Sequence, residues 1–231
     1  TDWYEHVYRN ALITGHNLSI RGGSEKLSSF LSLNYLKQEG IITNTDAERF
    51  GMRANLEYKV NSWLKVGARL NYIRRNSQEP FDLSRVFFIQ SGAAPFIAPY
   101  TRDGRFGSVE AIAQDGTLLY DNRNPLIDAS NGATKTTLDY MSLNAFATVD
   151  FTKDLNLQVT WASNGNWKMV DKYNETLYGY TDSGIETMTI NYNRDGLEMS
   201  REQISTMRNN FHATLNYSKK FVEKHSVAGI L

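Results

Sequence analysis

Apolar and polar residues alternate along residues 50–72 in two runs that are separated by a short turn at 61–63. In the first run every second residue is apolar: Phe50, Met52, Ala54, Leu56, Tyr58 and Val60. The second run repeats this with Leu64, Val66, Ala68, Leu70 and Tyr72. A period of two predicts β-strands, and both runs exceed the usual strand of about five or six residues. Roughly 9–11 residues is the length a tilted strand needs to cross a bilayer, so the pattern predicts a membrane-spanning hairpin.

The same alternation predicts further strands over 16–21, 31–36, 142–151, 155–161, 211–218 and 225–231. Helical periodicity is possible only over 3–11 and 82–90. The predicted connections alternate in length. Short turns fall at 22–26, 61–63, 152–154 and 219–224, and long connections fall at 37–47, 76–140 and 162–206. Short turns on one side and long loops on the other are typical of outer-membrane barrels, whose long loops lie outside the cell.

Aromatic residues fall at both ends of the predicted apolar band. Given the direction of each strand, the outward ends carry Tyr35, Phe50, Tyr72 and Trp161, and the short-turn ends carry Tyr58, Trp63, Phe151 and Tyr217. Rings at both interfaces are typical of transmembrane barrels. The predicted fold is therefore all-β: a partial antiparallel transmembrane β-barrel of roughly 8–10 strands, which belongs to a larger barrel and has long extracellular loops. A soluble β-sheet, in which strands simply favour aromatic residues, is the alternative.

Composition excludes several other classes of protein. The 25 basic residues balance the 25 acidic ones, so no overall field favours nucleic acid. There is no cysteine, which excludes disulfides and cysteine zinc sites. A mean hydropathy of −0.47 does not exclude a membrane barrel, whose lumen and loops are polar. The four histidines are scattered without metal-ligand spacing. We expect no catalytic, cofactor-binding or metal-binding residues, and no enzyme activity.

Several motifs in residues 1–71 carry a resemblance to a known family. These are Thr1-Asp2-Trp3, His16-Asn17-Leu18-Ser19, Gly22-Gly23-Ser24-Glu25-Lys26, Leu33-Asn34-Tyr35, Gln38-Glu39-Gly40-Ile41-Ile42, Arg49-Phe50, Arg53-Ala54-Asn55-Leu56 and Val60-Asn61-Ser62-Trp63-Leu64-Lys65-Val66-Gly67. In order and spacing they resemble the start of the barrel in SusC/RagA-type TonB-dependent transporters. Beyond residue 76 the likeness is mostly one of strand pattern.

The resemblance implies a Bacteroidetes outer-membrane importer for oligosaccharides or peptides, with a plugged barrel of about 22 strands. It also implies a SusD-like surface lipoprotein and TonB as partners, outer-membrane lipid around the wall, and no role in nucleic-acid binding. Residues 1–231 are expected to be an internal piece of one barrel domain, without the plug and the TonB-binding segment. A non-transporting outer-membrane barrel, either an adhesin or a structural protein, and a soluble β-rich carbohydrate-binding or hydrolytic domain remain as alternatives.

Candidate site residues fall into two groups. Arg53 and Arg69 belong to the polar face of their strands and are expected to line the lumen, where they pair with plug carboxylates or tune the passage of solute. The long loops carry aromatic and charged residues that offer platforms for sugars or peptide side chains. The substrate-binding candidates there are Trp167, Tyr173, Tyr178, Tyr180, Tyr100 and Arg102. Glycan and peptide substrates remain equally possible.

Overall fold

The computed structural model describes residues 1–112, 114, 116, 118–121, 123–188, 198–221 and 225–231. An eight-stranded antiparallel sheet dominates it, with the strands in the order β1-β2-β3-β4-β7-β8-β11-β12. The strands of this sheet are β1 (Ile13–Gly23), β2 (Leu27–Glu39), β3 (Asp46–Lys59), β4 (Leu64–Glu79), β7 (Ala133–Asp150), β8 (Leu155–Tyr173), β11 (Met199–Phe221) and β12 (His225–Ile230). The predicted antiparallel barrel-wall fold is confirmed.

Short helices and two small hairpins fill the longer connections. The helices are α1 (Trp3–Val7), α2 (Leu83–Gly92) and α3 (Pro125–Ser130). The hairpins pair β5 (Val109–Ile112) with β6 (Leu118–Asp121), and β9 (Tyr178–Tyr180) with β10 (Glu186–Met188). Helix α1 lies within the predicted stretch 3–11, and helix α2 overlaps the predicted stretch 82–90 but continues to Gly92. Helix α3 was not predicted, although Asn124 caps its N-terminus and Pro125 occupies the first turn, as is usual there.

The short turns lie where they were predicted, but the long connections are shorter than predicted. Strands β2 and β3 are joined by residues 40–45, β4 and β7 by 80–132, and β8 and β11 by 174–198. The predicted bounds of 37–47, 76–140 and 162–206 were wrong because the backbone ladder continues beyond the apolar band, where alternation fades. Lys37 opposite Glu48 is one such polar pair. The fourth short turn, at 219–224, lies partly outside the described residues.

A small hydrophobic core lies at the end of the sheet that carries the long connections, which we call the loop end. We call the unit around it, residues 1–12, 40–45 and 80–132, the cap. Its buried residues come from all three stretches: Trp3, Val7, Ile42, Val86, Ile97, Leu126 and Ala129. The Trp3 indole Nε1 donates to the Ala94 carbonyl at 3.1 Å, and Asn44 Nδ2 donates to the Ala129 carbonyl at 2.9 Å. These two bonds therefore tie helix α1 and the β2–β3 connection to the 80–132 connection.

Candidate functional site

The two faces of the eight-stranded sheet differ in chemistry. Because side chains alternate along a strand, the continuous registers assign each residue to one face. The outer face, as we call it, carries an exposed apolar band that includes Leu18, Ile20, Leu31, Leu56, Trp161 and Phe211. Phe211 is 71% exposed and Ile20 is 61% exposed. A band of this kind that is continuous over several strands needs an apolar partner, and the lipid around a transmembrane barrel is one such partner.

The registers give a strand tilt if the aromatic residues that border this band lie at one membrane depth. Phe50 and Phe211 both lie on the outer face, on β3 and β11. Cross-strand partners connect Phe211 on β11 to Leu56 on β3. Phe211 lies opposite Trp161, Trp161 opposite Ala145, Ala145 opposite Ala68, and Ala68 opposite Leu56. Along β3, Phe50 lies about 20 Å from Leu56. Across the sheet, perpendicular to the strands, the distance from β3 to β11 is about 19 Å. If Phe50 and Phe211 lie at one membrane depth, the strands tilt by about 45°, near the 35–45° of transmembrane barrels.

The opposite face, which we call the inner face, is polar. Arg53 lies opposite Asn71, and Arg69 lies opposite Asn55, all four on this face. The guanidinium of Arg69 lies 4.9 Å from the centroid of the Phe146 ring. That ring in turn covers Gly67, where a Cβ would come within 2.4 Å of it. Glycine at position 67 therefore allows an aromatic ring to lie flat on the inner face and to support a positive charge.

At the loop end, the 80–132 and 174–198 connections dock on each other through Tyr180. Its backbone N–H donates to the Phe106 carbonyl at 2.7 Å, and its carbonyl accepts from the Ser108 N–H at 2.8 Å. The Arg105 guanidinium lies 4.0 Å from the centroid of the Tyr180 ring. Below it the Thr187 hydroxyl donates to the Ser108 hydroxyl at 2.7 Å. Sequence reasoning missed Arg105, which joins the two connections.

An ion pair within one turn holds Arg105 in place. Its guanidinium lies 2.7 Å from the Asp103 carboxylate, which also accepts from the Thr101 hydroxyl. Gly104, between the two charged residues, has φ +83°, a conformation that favours glycine. The hydrogen bond from Arg105, followed by that from Thr101, lowers the pKa of Asp103 to about 2. The carboxylate is therefore charged at every physiological pH.

The structure brings some of the predicted loop residues together. Tyr100 stacks on Phe106 with 5.8 Å between ring centroids, and Arg102 is exposed in the following turn. Tyr180 is close by, through Arg105 and Phe106. Tyr178 lies in the same β9–β10 hairpin, opposite Met188. A groove of about 270 Å³ beside this group is lined by Phe96, Ala98, Thr101, Gly107, Ser108, Val109, Tyr180, Thr181, Asp182 and Ser183.

Trp167 and Tyr173 lie apart from this group. They belong to β8 rather than to a loop, because β8 continues to Tyr173. Both are on the outer face, where Trp167 lies opposite Asp139 and Ser205 and its ring packs over Gly165. Lys135 Nζ lies 5.8 Å from the centroid of the Tyr173 ring. Their expected contact with substrate stays a prediction, and it would have to occur on the outside of the wall.

The part of the chain that the structure describes contains no group of three or more His, Asp or Glu side chains that could hold a metal ion. Within the same residues, every helix is too short or too polar to cross a membrane.

Comparisons with known proteins give one consistent result. TonB-dependent receptor P26 of Formosa agariphila is 39% identical over 71 residues, which is 31% of this chain and 7% of that protein. TonB-dependent receptor SusC of Bacteroides thetaiotaomicron is 38% identical over 56 residues, 24% of this chain and 6% of that protein. A structure of the RagAB peptide transporter matches with a TM-score of 0.69 and 18% identity, covering 99% of this chain and 24% of that one. No family model matches the chain.

The chain resembles the barrel wall of SusC/RagA-type TonB-dependent transporters. This confirms the resemblance that the motifs in residues 1–71 predicted. The matches cover between 6% and 19% of the curated TonB-dependent receptors, so the chain corresponds to a small section of such proteins. The RagAB likeness extends over the whole chain and therefore includes the cap as well as the sheet.

Proposed function

We propose that this chain is a section of the barrel of an outer-membrane importer of the SusC/RagA type, which takes up oligosaccharides or peptides with energy supplied through TonB. The observation that supports it most is the 38–39% identity to SusC and to TonB-dependent receptor P26. The exposed apolar band on the outer face agrees with a wall that faces lipid. The loop end with its cap then lies outside the cell, and the short turns face the periplasm.

In this proposal the three surfaces of the chain have separate tasks. The outer face meets lipid, and the inner face lines the lumen, which a plug closes in such transporters. The cap and the Tyr180 hairpin form part of the outer vestibule, where a SusD-like surface lipoprotein presents the substrate. Edge strands β1 and β12 have unpaired backbone groups that lipid cannot satisfy, so the rest of a barrel must pair with them.

Deletion of the gene in the parent organism, followed by growth on a panel of oligosaccharides and peptides, tests the proposal. We expect growth to fail on one substrate class and to return with the whole protein, but not with a variant that lacks the TonB-binding segment. Fractionation should recover the protein in the outer membrane with heat-dependent gel migration. Recovery in the soluble fraction, or unchanged growth on every substrate, would contradict the proposal.

A further inference from the structure

A group of basic residues lies together on the inner face of β1, β3 and β4. We call it the basic strip. Its members are Arg21, Arg49, Arg53, Lys59, Lys65, Arg69 and Arg75. The acidic residues on the inner face of the same strands are Glu57 and Glu79. Although the formal charge of the whole chain is zero, this face of the wall is therefore strongly positive.

The registers place like charges directly opposite each other at both ends of the strip. Arg49 pairs with Arg75, and Lys59 pairs with Lys65. Like charges in directly opposed positions destabilise a sheet, and their cost falls when an anion lies between them. In the middle, Arg53 and Arg69 are diagonal neighbours, since Arg53 lies opposite Asn71. Diagonal side chains of this length can reach one common ligand.

None of these charges is neutralised within the described part of the chain. Every salt bridge found there involves other residues: Arg74 with Asp139, Arg85 with Asp128, Arg105 with Asp103, and Arg201 with Asp171. Two members of the strip lie instead against aromatic rings, Arg69 on Phe146 and Arg21 on Phe30 at 5.6 Å. A ring fixes the position of a guanidinium without using its N–H donors, which stay available for a carboxylate, sulfate or phosphate.

A groove of about 570 Å³ lies over the middle of the strip. Its lining includes three members of the strip, Arg21, Arg53 and Arg69, together with Phe30, Phe146 and Glu57. From Lys65 to Arg75 the strip extends for about 33 Å along β4. One small anion cannot span this length, whereas an extended oligomer with repeated anionic groups can. A groove with a net positive charge, here three arginines against Glu57, also raises the local concentration of such a ligand.

We propose that the basic strip binds an anionic oligomer, so that the transported substrate carries carboxylate, sulfate or phosphate groups along its length. This rests on the proposed import function, because only an importer passes its substrate through the lumen. The shared chemistry is a linear polyanion, either an acidic peptide or an acidic or sulfated oligosaccharide. Carboxylates of another segment of the same polypeptide, such as a plug, are the competing occupant.

Isothermal titration calorimetry of the whole protein in detergent tests whether the basic strip binds an anionic oligomer. The probes are hexaglutamate against hexaglutamine, and a sulfated hexasaccharide against its desulfated form. We expect at least one anionic probe to bind at least tenfold more tightly than its neutral counterpart, and to weaken between 50 and 200 mM salt. In the variant R53Q/R69Q this affinity should fall at least tenfold. The control R74Q/R201Q, with the same change in charge on the outer face, should change it less than twofold.

Equal losses in the two double variants would overturn the proposal, because net charge alone would then explain the binding. Equal binding of the anionic and neutral probes would also overturn the proposal. If R53Q/R69Q then melts at a lower temperature than the control, the strip pairs with internal carboxylates instead. Binding in detergent needs neither TonB nor a lipoprotein, so it can succeed even if the growth test fails. Conversely, an importer of neutral solutes would pass the growth test and fail this one.

Discussion

The guanidinium carbon of Arg105 lies 4.0 Å from the centroid of the Tyr180 ring, so one side chain of the 80–132 connection covers a ring of the 174–198 connection. The same arginine is held by Asp103 at 2.7 Å. A cation over an aromatic ring contributes about 0.5–2 kcal/mol, depending on how far it is removed from water. This contact therefore couples two connections that are distant in sequence.

The variant Arg105→Gln should loosen the docking of the β9–β10 hairpin without changing the sheet. Loss of about 1 kcal/mol corresponds to a roughly fivefold faster amide exchange in residues 178–187, which mass spectrometry of the whole protein would measure. The neighbouring exposed Arg102→Gln makes the same charge change and should have little effect. Equal acceleration in both variants would mean that the contact with the Tyr180 ring is not the cause.

The turn at Thr101–Arg105 should lose stability only in strong acid. The pKa of Asp103 is lowered from 3.8 to about 2, mainly by the hydrogen bond from Arg105. A lowered carboxyl pKa contributes stability that is present above the unfolded value and is lost as the pH falls through the folded value. Exchange in residues 99–108, corrected for intrinsic rates, should therefore be constant above pH 4 and rise between pH 4 and pH 2. Asp103→Asn should remove this pH dependence, and its persistence would exclude Asp103 as the origin.

The ion pair between Arg85 on α2 and Asp128 on α3 should be important for the cap. The two side chains are 15% and 13% exposed and lie 2.6 Å apart. Burial raises the pKa of Asp128, and the charge of Arg85 opposes that rise. The variant Arg85→Met leaves a buried carboxylate and should destabilise the cap by about 3 kcal/mol, judged by exchange in residues 83–92.

A second variant separates the ion pair from simple loss of packing. In R85M/D128L the buried charge is gone, so the cap should regain most of the lost stability. The loss in R85M should also be larger at pH 8 than at pH 4, because a raised carboxyl pKa costs stability as the pH rises through it. A double variant no more stable than R85M would show that the Arg85 stem, not its charge, matters.

Neighbouring residues of β4 provide a matched test of the two faces. Leu70 lies on the outer face and Asn71 on the inner face. A lysine in place of Leu70 would meet lipid and should cost about 2–4 kcal/mol near the bilayer midplane. Asn71→Lys should cost less, about 1 kcal/mol at most, because that position is polar, although the opposite Arg53 repels the new charge. Urea unfolding of the whole protein in vesicles measures both, and similar losses would contradict the assignment of the faces.

Most of the sheet could be predicted from sequence because a lipid-facing strand must be apolar at every second position. The turns at 61–63 and 152–154, and the pairing of the strands on either side of them, follow from that alternation. The ends of the strands could not be predicted. Outside the apolar band the ladder is held by backbone hydrogen bonds, which leave little trace in side-chain pattern, so Trp167 was assigned to a loop although it lies in β8.

The cap and the basic strip depend on contacts between distant parts of the chain. Trp3, Ile42, Val86 and Leu126 form one core only because the sheet brings its connections to the same end. Alternation determined which residues lie on the outer face and which lie on the inner face, since a period of two fixes the two faces of a strand. Strand register decided which charges oppose each other, as Arg49 and Arg75 do, and loop docking decided which ring lies under Arg105. Only the tertiary structure could decide these contacts, because it brings together residues that no local pattern relates.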